Sequence, residues 1–179
     1  FCLCFELLHG VTQRKHRVAK KIKLRESLRN NYYFRIAMKN IYQNILVAKQ
    51  ENKKLLAILI DPDKTKVAEI ENLSQKINQS PATHIFIGGS IVEQICIATL
   101  IIEIKKYCHL PILIFPGHPS QISNEADGIL FLSLLSGRNP DYLIEHHINS
   151  VDILANSTLE IISTGYILID GGNETAVQR

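Results

Sequence analysis

Short apolar runs alternate along this chain with longer segments whose apolar residues recur at helical spacing. The first run, Leu55 to Ile60, holds six consecutive apolar residues, which is typical of a parallel-sheet strand covered on both faces. Further strands are predicted at 84–87, 112–115, 128–132 and 166–169, the last preceded by an extended piece at 160–163. Helices are predicted at 39–51, 65–79, 91–107 and 140–154, with Val67 on the inward face of the second. Residues 116–125 are too short and too rich in Pro and Ser for a crossover helix.

Strands that alternate with helices through short Gly/Pro turns indicate a parallel sheet. Each predicted strand ends in a polar or glycine cluster, and these lie at 61–63, 88–90, 116–118, 133–137 and 170–172. Several such ends on one face are more typical of a (β/α)8 barrel than of the single crevice of an open sheet. A full barrel takes about 250 residues. We therefore predict an α/β fold that is the N-terminal portion, about five βα units, of a TIM barrel in a longer protein.

The first 37 residues differ from the rest in charge. Residues 1–37 contain 9 Lys/Arg and 2 Asp/Glu, whereas residues 38–179 contain 11 and 15. A basic segment can be an arm for nucleic acid or for an anionic membrane. It can also be a solvated extension that precedes a start at Met38, the only methionine. We predict the second, with a disordered or non-native extension at 1–37, a partial barrel domain at 38–179 and no nucleic-acid partner.

The four cysteines, Cys2, Cys4, Cys96 and Cys108, form no CxxC or Cys/His zinc pattern. A reducing, cytoplasmic setting is therefore expected. No apolar run reaches membrane-spanning length without charges, because residues 91–104 are interrupted by glutamates.

Candidate chemistry lies at the ends of the first two strands. A carboxylate placed like Asp61 can bind a metal, although Asp61-Pro62 is also ordinary turn chemistry. Ser90 can contact the same metal, or it can form a capping box with Glu93. These interpretations are compatible, because a capped helix N-terminus at a strand end is itself an anion site.

Three glycines and a lysine extend this candidate site. Gly88, Gly89 and Gly117 either let a phosphate approach the backbone or only permit tight turns. Lys64 either holds a phosphate or pairs with Asp63. No dinucleotide glycine fingerprint and no GxxxxGK[ST] loop is present.

Four ring side chains are further candidates near these strand ends. His118, in an exposed loop, can contact a phosphate or remain inert. His146 and His147 are expected late in a helix, facing solvent or the helix C-terminus. Tyr166 is expected to open the fifth strand, either in the core or beside a groove.

The chain from Met38 to Arg179 resembles the geranylgeranylglyceryl/heptaprenylglyceryl phosphate synthase family. The resemblance rests on the order and spacing of five blocks. These are KLLAILIDPDK at 54–64, IFIGGS at 85–90, PILIFPGHPSQIS at 111–123, ADGILFLSLLSGRNPDYLIEHH at 126–147 and EIISTGYILIDGG at 160–172. Nothing in residues 1–37 matches. One departure is Leu59, where some members of the family carry lysine.

The resemblance implies a TIM-barrel prenyltransferase that joins a prenyl diphosphate to the 3-hydroxyl of sn-glycerol 1-phosphate. It implies Mg²⁺ at the departing diphosphate, with Asp61 and Ser90 at the positions of the family's metal contacts. It also implies peripheral membrane association through the lipid substrate and a homo-oligomer at full length.

The resemblance places the acceptor half of the site outside this chain. The family's Tyr-x-Glu-x-Gly-Ser-Gly strand end, which carries the proposed general base, lies beyond Arg179, so no catalytic residue is predicted here. Two alternatives stay open. One is another phosphate-binding TIM-barrel enzyme, which would carry a Lys or Glu pair at its strand ends that we do not see. The other is an inactive truncated product.

Overall fold

Five parallel strands form the framework of the protein, which a computed structural model describes over residues 40–89 and 94–169. The strands pair in chain order, each with the next. They are β1 (Ala57–Ile60), β2 (His84–Ile87), β3 (Ile112–Ile114), β4 (Gly128–Leu134) and β5 (Glu160–Tyr166). The helices are α1 (Ile41–Gln50), α2 (Ile70–Gln79), α3 (Gln94–Tyr107) and α4 (His146–Ala155). The predicted α/β class and parallel sheet are therefore confirmed.

The connections between strands are unequal. Helix α2 joins β1 to β2, and α3 joins β2 to β3, whereas β3 and β4 are joined through a single 3-10 turn, Pro119–Gln121. The predicted absence of a crossover helix at 116–125 is confirmed. After β4, a π-helical turn at Asp141–Glu145 leads into α4.

Three sequence predictions about the elements were wrong. The fifth strand is Glu160–Tyr166, so it contains the extended piece predicted at 160–163 but not residues 167–169. It pairs with β4 along its whole length, from Gly128–Glu160 to Leu134–Tyr166. Tyr166 therefore ends this strand instead of opening it. Val67 is 58% exposed, because it lies in a 3-10 turn that precedes α2.

The core has two layers, one on each face of the sheet. In β3, Ile112 and Ile114 belong to the larger cluster, and Leu113 points to the smaller one. This alternation follows from the two-residue period of a strand. Strand β3 is buried on both faces, as a continuous apolar run predicts. Strand β1 is not, because it lies at an edge of the described sheet, where Leu59 is 58% exposed.

Helix α1 is fastened to the sheet by one carboxylate. Glu160, the first residue of β5, accepts hydrogen bonds from the main-chain N–H groups of Ile41 and Tyr42, each at 2.8 Å. The first N–H groups of a helix have no partner within the helix. Glu160 satisfies two of them and places negative charge at the positive end of the helix dipole. The predicted lead-in helix thus exists and is held by a residue distant in sequence.

None of the helices in the described part of the chain is both long and apolar enough to cross a bilayer.

We predict that Glu160→Gln lowers the free energy of unfolding by about 1–2 kcal/mol. Glutamine offers one carbonyl oxygen to two N–H groups and carries no charge. Urea unfolding followed by circular dichroism measures the change. Glu125→Gln, in the exposed loop before β4, is the control. Equal midpoints for the two variants would contradict the assigned role of Glu160.

Candidate functional site

The loops that follow β1, β2 and β3 lie side by side at one edge of the sheet. The Gly88 N–H donates to the Ile60 carbonyl at 3.3 Å, and the Phe115 N–H donates to the Ile87 carbonyl at 2.8 Å. These bonds join the loop after β2 to the end of β1, and the loop after β3 to the end of β2. The structure therefore brings the Asp61 turn next to the Gly88-Gly89 loop, and that loop next to the loop containing Gly117.

Asp61 opens a tight turn and is held as a carboxylate. Its Oδ1 accepts the Asp63 N–H at 3.1 Å, and its Oδ2 lies 2.8 Å from the Lys64 Nζ. The hydrogen bond from Lys64, with a smaller effect of the Asp63 N–H, lowers the pKa of Asp61 against the opposing effect of partial burial. The predicted turn chemistry is thus present. Of the two alternatives for Lys64, pairing with Asp63 is wrong, because its ion-pair partner is Asp61, and contact with a phosphate stays a prediction.

The donors at this turn fit a metal that takes few ligands from protein. Asp61 is ionised, and 28% of its side chain is exposed. Within residues 40–89 and 94–169 no group of three or more His, Cys, Asp or Glu side chains could hold a metal ion. Mg²⁺ suits such a site, because it prefers hard oxygen ligands and keeps water and phosphate oxygens around it. Ser90 and Glu93 lie outside the described residues, so the metal contact and the capping box both stay predictions.

Gly88 is required by close packing between two loops. A Cβ at Gly88 would lie 1.8 Å from the Phe115 carbonyl oxygen. No side chain can be accommodated there without moving the backbone of one of the two loops. The structure thus gives Gly88 a role in close packing between the ends of β2 and β3, which neither predicted interpretation described, and both of those interpretations stay predictions.

Gln121 is a residue of this site that sequence reasoning missed. Its side chain is 1% exposed. The Nε2 donates to the Gly89 carbonyl at 2.9 Å, and the Oε1 accepts the Gly117 N–H at 2.8 Å. The only sequence signal was a long amide side chain in a loop too short for a helix.

A cavity that is partly open to solvent lies beside the Gly117 loop, with an empty volume of about 390 Å³ that includes the solvent at its mouth. Its walls are mainly apolar side chains of β4 and the preceding loop, together with ring side chains of that loop and of the helical segment after β4. These residues include Ile122, Ile129, Leu130, Phe131, Leu132, His118, Tyr142, His146 and His147. Tyr166 is not among the lining residues and instead packs edge-to-face on Phe115, with the ring centroids 5.8 Å apart.

The two adjacent histidines begin α4, so their predicted position late in a helix is wrong. The His147 Nε2 lies 2.6 Å from the Leu132 carbonyl oxygen, which ties α4 to β4. The His146 ring packs against those of His118 and Tyr142, at centroid distances of 5.1 and 4.9 Å. The His146 Nδ1 is buried and has no hydrogen-bond partner among the residues that the structure describes. Burial, and next the neighbouring His118, lower the pKa of His146.

Comparison with known proteins decides the family. The model of the family described as "PcrB family" matches residues 48–178. The chain belongs to the PcrB family. A geranylgeranylglyceryl phosphate synthase of Flavobacterium johnsoniae is 63% identical over 139 residues, which are 78% of this chain and 57% of that protein. A protein of the same name from Zunongwangia profunda is 51% identical over 144 residues, 79% of this chain and 60% of its own length.

Solved structures of the same kind match this PcrB-family chain in fold. One is (S)-3-O-geranylgeranylglyceryl phosphate synthase from Thermoplasma acidophilum in complex with substrate sn-glycerol-1-phosphate. It has a TM-score of 0.70 and 28% identity, over 75% of this chain and 55% of that chain. The wild-type enzyme of Thermoplasma volcanium has a TM-score of 0.63 and 26% identity, over 66% and 48%. These structures are TIM barrels, so the predicted barrel portion is confirmed. The chain spans about half the length of the proteins that it matches.

We predict that Gly88→Ala destabilises the protein by more than about 2 kcal/mol, because overpacking against backbone cannot be relieved by a rotamer change. Thermal unfolding measures the effect. Gly165→Ala is the matched control, since its Cβ would meet only the end of the Leu135 side chain, at 2.7 Å. Equal melting temperatures for the two variants would contradict the close contact at Gly88.

We also predict that stability rises with pH between about pH 5 and 7. The unfolded chain takes up a proton on His146 near the usual pKa of about 6.5, whereas in the fold that pKa is lowered. Protonation therefore favours the unfolded state as the pH falls. His84, whose pKa burial also lowers, acts in the same direction.

The measurement is the urea midpoint of wild type, His146→Phe and the exposed-site control His109→Phe across this pH range. The His146→Phe midpoint should depend less on pH, and the control should follow wild type. If the urea midpoint of His146→Phe depends on pH as strongly as that of wild type, the assigned burial of the His146 imidazole is ruled out.

Proposed function

We propose that the protein is a Mg²⁺-dependent prenyltransferase that joins a prenyl diphosphate to sn-glycerol 1-phosphate. The observation that carries this proposal is the ionised Asp61 carboxylate at the end of β1, beside the glycine loops that end β2 and β3. The proposal is supported by 63% identity to a protein named geranylgeranylglyceryl phosphate synthase. The glycerol phosphate of the Thermoplasma acidophilum complex supports the acceptor.

The reaction requires charge neutralisation at the departing diphosphate. Bound Mg²⁺ would supply a Lewis acid for the developing negative charge, and Asp61 would hold it, with Ser90 as the second proposed contact. Lys64 is ion-paired with the Asp61 carboxylate in the structure, although 82% of the Lys64 side chain is exposed. We propose that it turns toward the diphosphate when a cation takes its place on Asp61.

The substrate also carries a long apolar tail that must leave water. The cavity beside the Gly117 loop offers an apolar wall from β4, next to the proposed diphosphate position. Burying apolar surface there would contribute binding free energy of about 25 cal/mol for each Å² removed from water. We assign this cavity to part of the prenyl chain.

Residues outside this chain are proposed to supply the acceptor half of the site. The chain spans 57% of the Flavobacterium johnsoniae relative. Strands β1 and β5 each pair on one side only in the described sheet, and Leu59 and Ile161 on them are 58% and 44% exposed. Further strands would cover these surfaces. Homo-oligomer formation, contact with membranes and a cytoplasmic location stay predictions.

The activity is tested in a chimera that joins residues 40–178 to the remainder of the Flavobacterium johnsoniae relative. Labelled sn-glycerol 1-phosphate is incubated with Mg²⁺ and prenyl diphosphates of several lengths. We expect an ether product that disappears with chelation. No product with any chain length would refute the proposed reaction.

Asp61→Asn should lower kcat/KM at least about a hundredfold, since metal stabilisation of a leaving group supplies several kcal/mol. Asparagine retains the oxygen that accepts the Asp63 N–H and so preserves the turn. Asp63→Asn, at an exposed carboxylate two residues away, is the control. Equal activity in the two variants would leave Asp61 with a turn-forming role only.

A further inference from the structure

Gln121 is the most deeply buried polar side chain at the candidate site, and both ends of its amide are used. It closes the 3-10 turn between β3 and β4, where its own N–H donates to the His118 carbonyl at 3.0 Å. Burying an amide costs free energy unless it is hydrogen-bonded. Here the donor nitrogen is bonded to Gly89 and the acceptor oxygen to Gly117.

The two partners of Gln121 belong to different loops. Gly89 follows β2, and Gly117 follows β3, so one side chain joins the loops beyond the point where strand pairing stops. The same loops touch directly where Gly88 meets the Phe115 carbonyl. A hydrogen-bonded amide and a close backbone contact therefore fix the separation of these loops.

We infer that Gln121 is a positioning residue for the diphosphate site, and this inference rests on the proposed function. Gln121 turns the Gly89 carbonyl, the negative end of a peptide dipole, toward itself instead of toward an incoming anion. It also occupies the Gly117 N–H. The Gly117 N–H is therefore already hydrogen-bonded and does not donate to a phosphate.

The chemistry of the amide predicts an unusual pH response for one variant. In Gln121→Glu, a carboxylate can accept the Gly117 N–H but has no hydrogen to donate to the Gly89 carbonyl, and it repels that oxygen. Once protonated, the carboxylic acid has one donor and one acceptor, as the amide does at these two contacts. Acid should therefore restore the wild-type loop arrangement in this variant.

The probe is inorganic pyrophosphate with Mg²⁺, titrated calorimetrically into the full 179-residue chain. We expect Gln121→Met, which has similar length and no hydrogen bonds, to bind about tenfold more weakly than wild type, the size expected when a supporting partner is lost. At pH 8, Gln121→Glu should bind pyrophosphate about tenfold more weakly than wild type does at that pH. At pH 5.5, its affinity should be within about twofold of the wild-type affinity measured at pH 5.5. Gln79→Met, at the exposed end of α2, should bind like wild type.

The outcomes separate this inference from the proposed function. A wild-type chain that binds no pyrophosphate would overturn the proposed diphosphate site itself. Wild-type binding with unchanged affinity in both Gln121 variants would overturn the positioning role alone. If Gln121→Met does not fold, the Gln121→Glu series decides. An affinity about tenfold below that of wild type at every pH from 8 to 5.5 would reject the positioning role.

In the chimera, a positioning role predicts a raised KM for prenyl diphosphate and an unchanged KM for glycerol 1-phosphate. A variant that only loosens the fold would lower the melting temperature and leave both KM values unchanged, which would also reject the inference.

Discussion

The common direction of the five strands is the constraint on which the rest of this structure depends. Parallel pairing puts every carboxyl-terminal strand end at one edge of the sheet, so residues far apart in sequence meet there. Asp61 follows β1, Gly88 follows β2, and Phe115 follows β3, and main-chain hydrogen bonds join these strand ends. At the amino-terminal ends of the strands, the Glu160 carboxylate accepts hydrogen bonds from the start of α1. The proposed chemistry and the hydrogen bonds that hold α1 to the sheet thus lie at opposite ends of the strands.

Electrostatics at the Asp61 turn connect the fold with the proposed function. Lys64 keeps the pKa of Asp61 below its ordinary value, so the carboxylate is available as a hard anionic ligand at neutral pH. A lysine on an exposed stem can leave when a cation with higher charge arrives. The same two residues would then serve a metal and a diphosphate. No further carboxylate is needed, which agrees with the sparse protein coordination that Mg²⁺ accepts.

Much of the fold could be predicted from local sequence, because helical periodicity and buried apolar runs are strong signals. Strand β2 and the missing helix between β3 and β4 were predicted correctly. Strand β5 was misplaced because Ser163 and Thr164 interrupt its apolar pattern, and only pairing with β4 defines its extent. The exposed side of β1 could not be foreseen either, since exposure depends on which strands lie beside it.

Sequence patterns predicted the candidate residues that directly follow strands, but not the ion pair and hydrogen bonds that connect the loops of the candidate site. Asp61 and the glycines follow directly from the strand pattern, but the partner of Lys64 depends on the turn geometry that brings it to Asp61. Gln121 acts across 32 residues to Gly89, and no local pattern encodes such a contact. His146 was misjudged because the π-helical turn before it shifts the start of the regular helix.

The proposed reaction requires that an oxygen of Asp61 binds the divalent cation that accompanies the diphosphate. Anomalous diffraction measures this directly, from crystals of the chimera grown with Mn²⁺ and a non-reactive prenyl diphosphate analogue. We expect a manganese peak about 2.1 Å from an Asp61 carboxylate oxygen, with the Lys64 ammonium displaced toward the phosphates. A peak bound elsewhere, with Lys64 still paired to Asp61, would contradict this requirement.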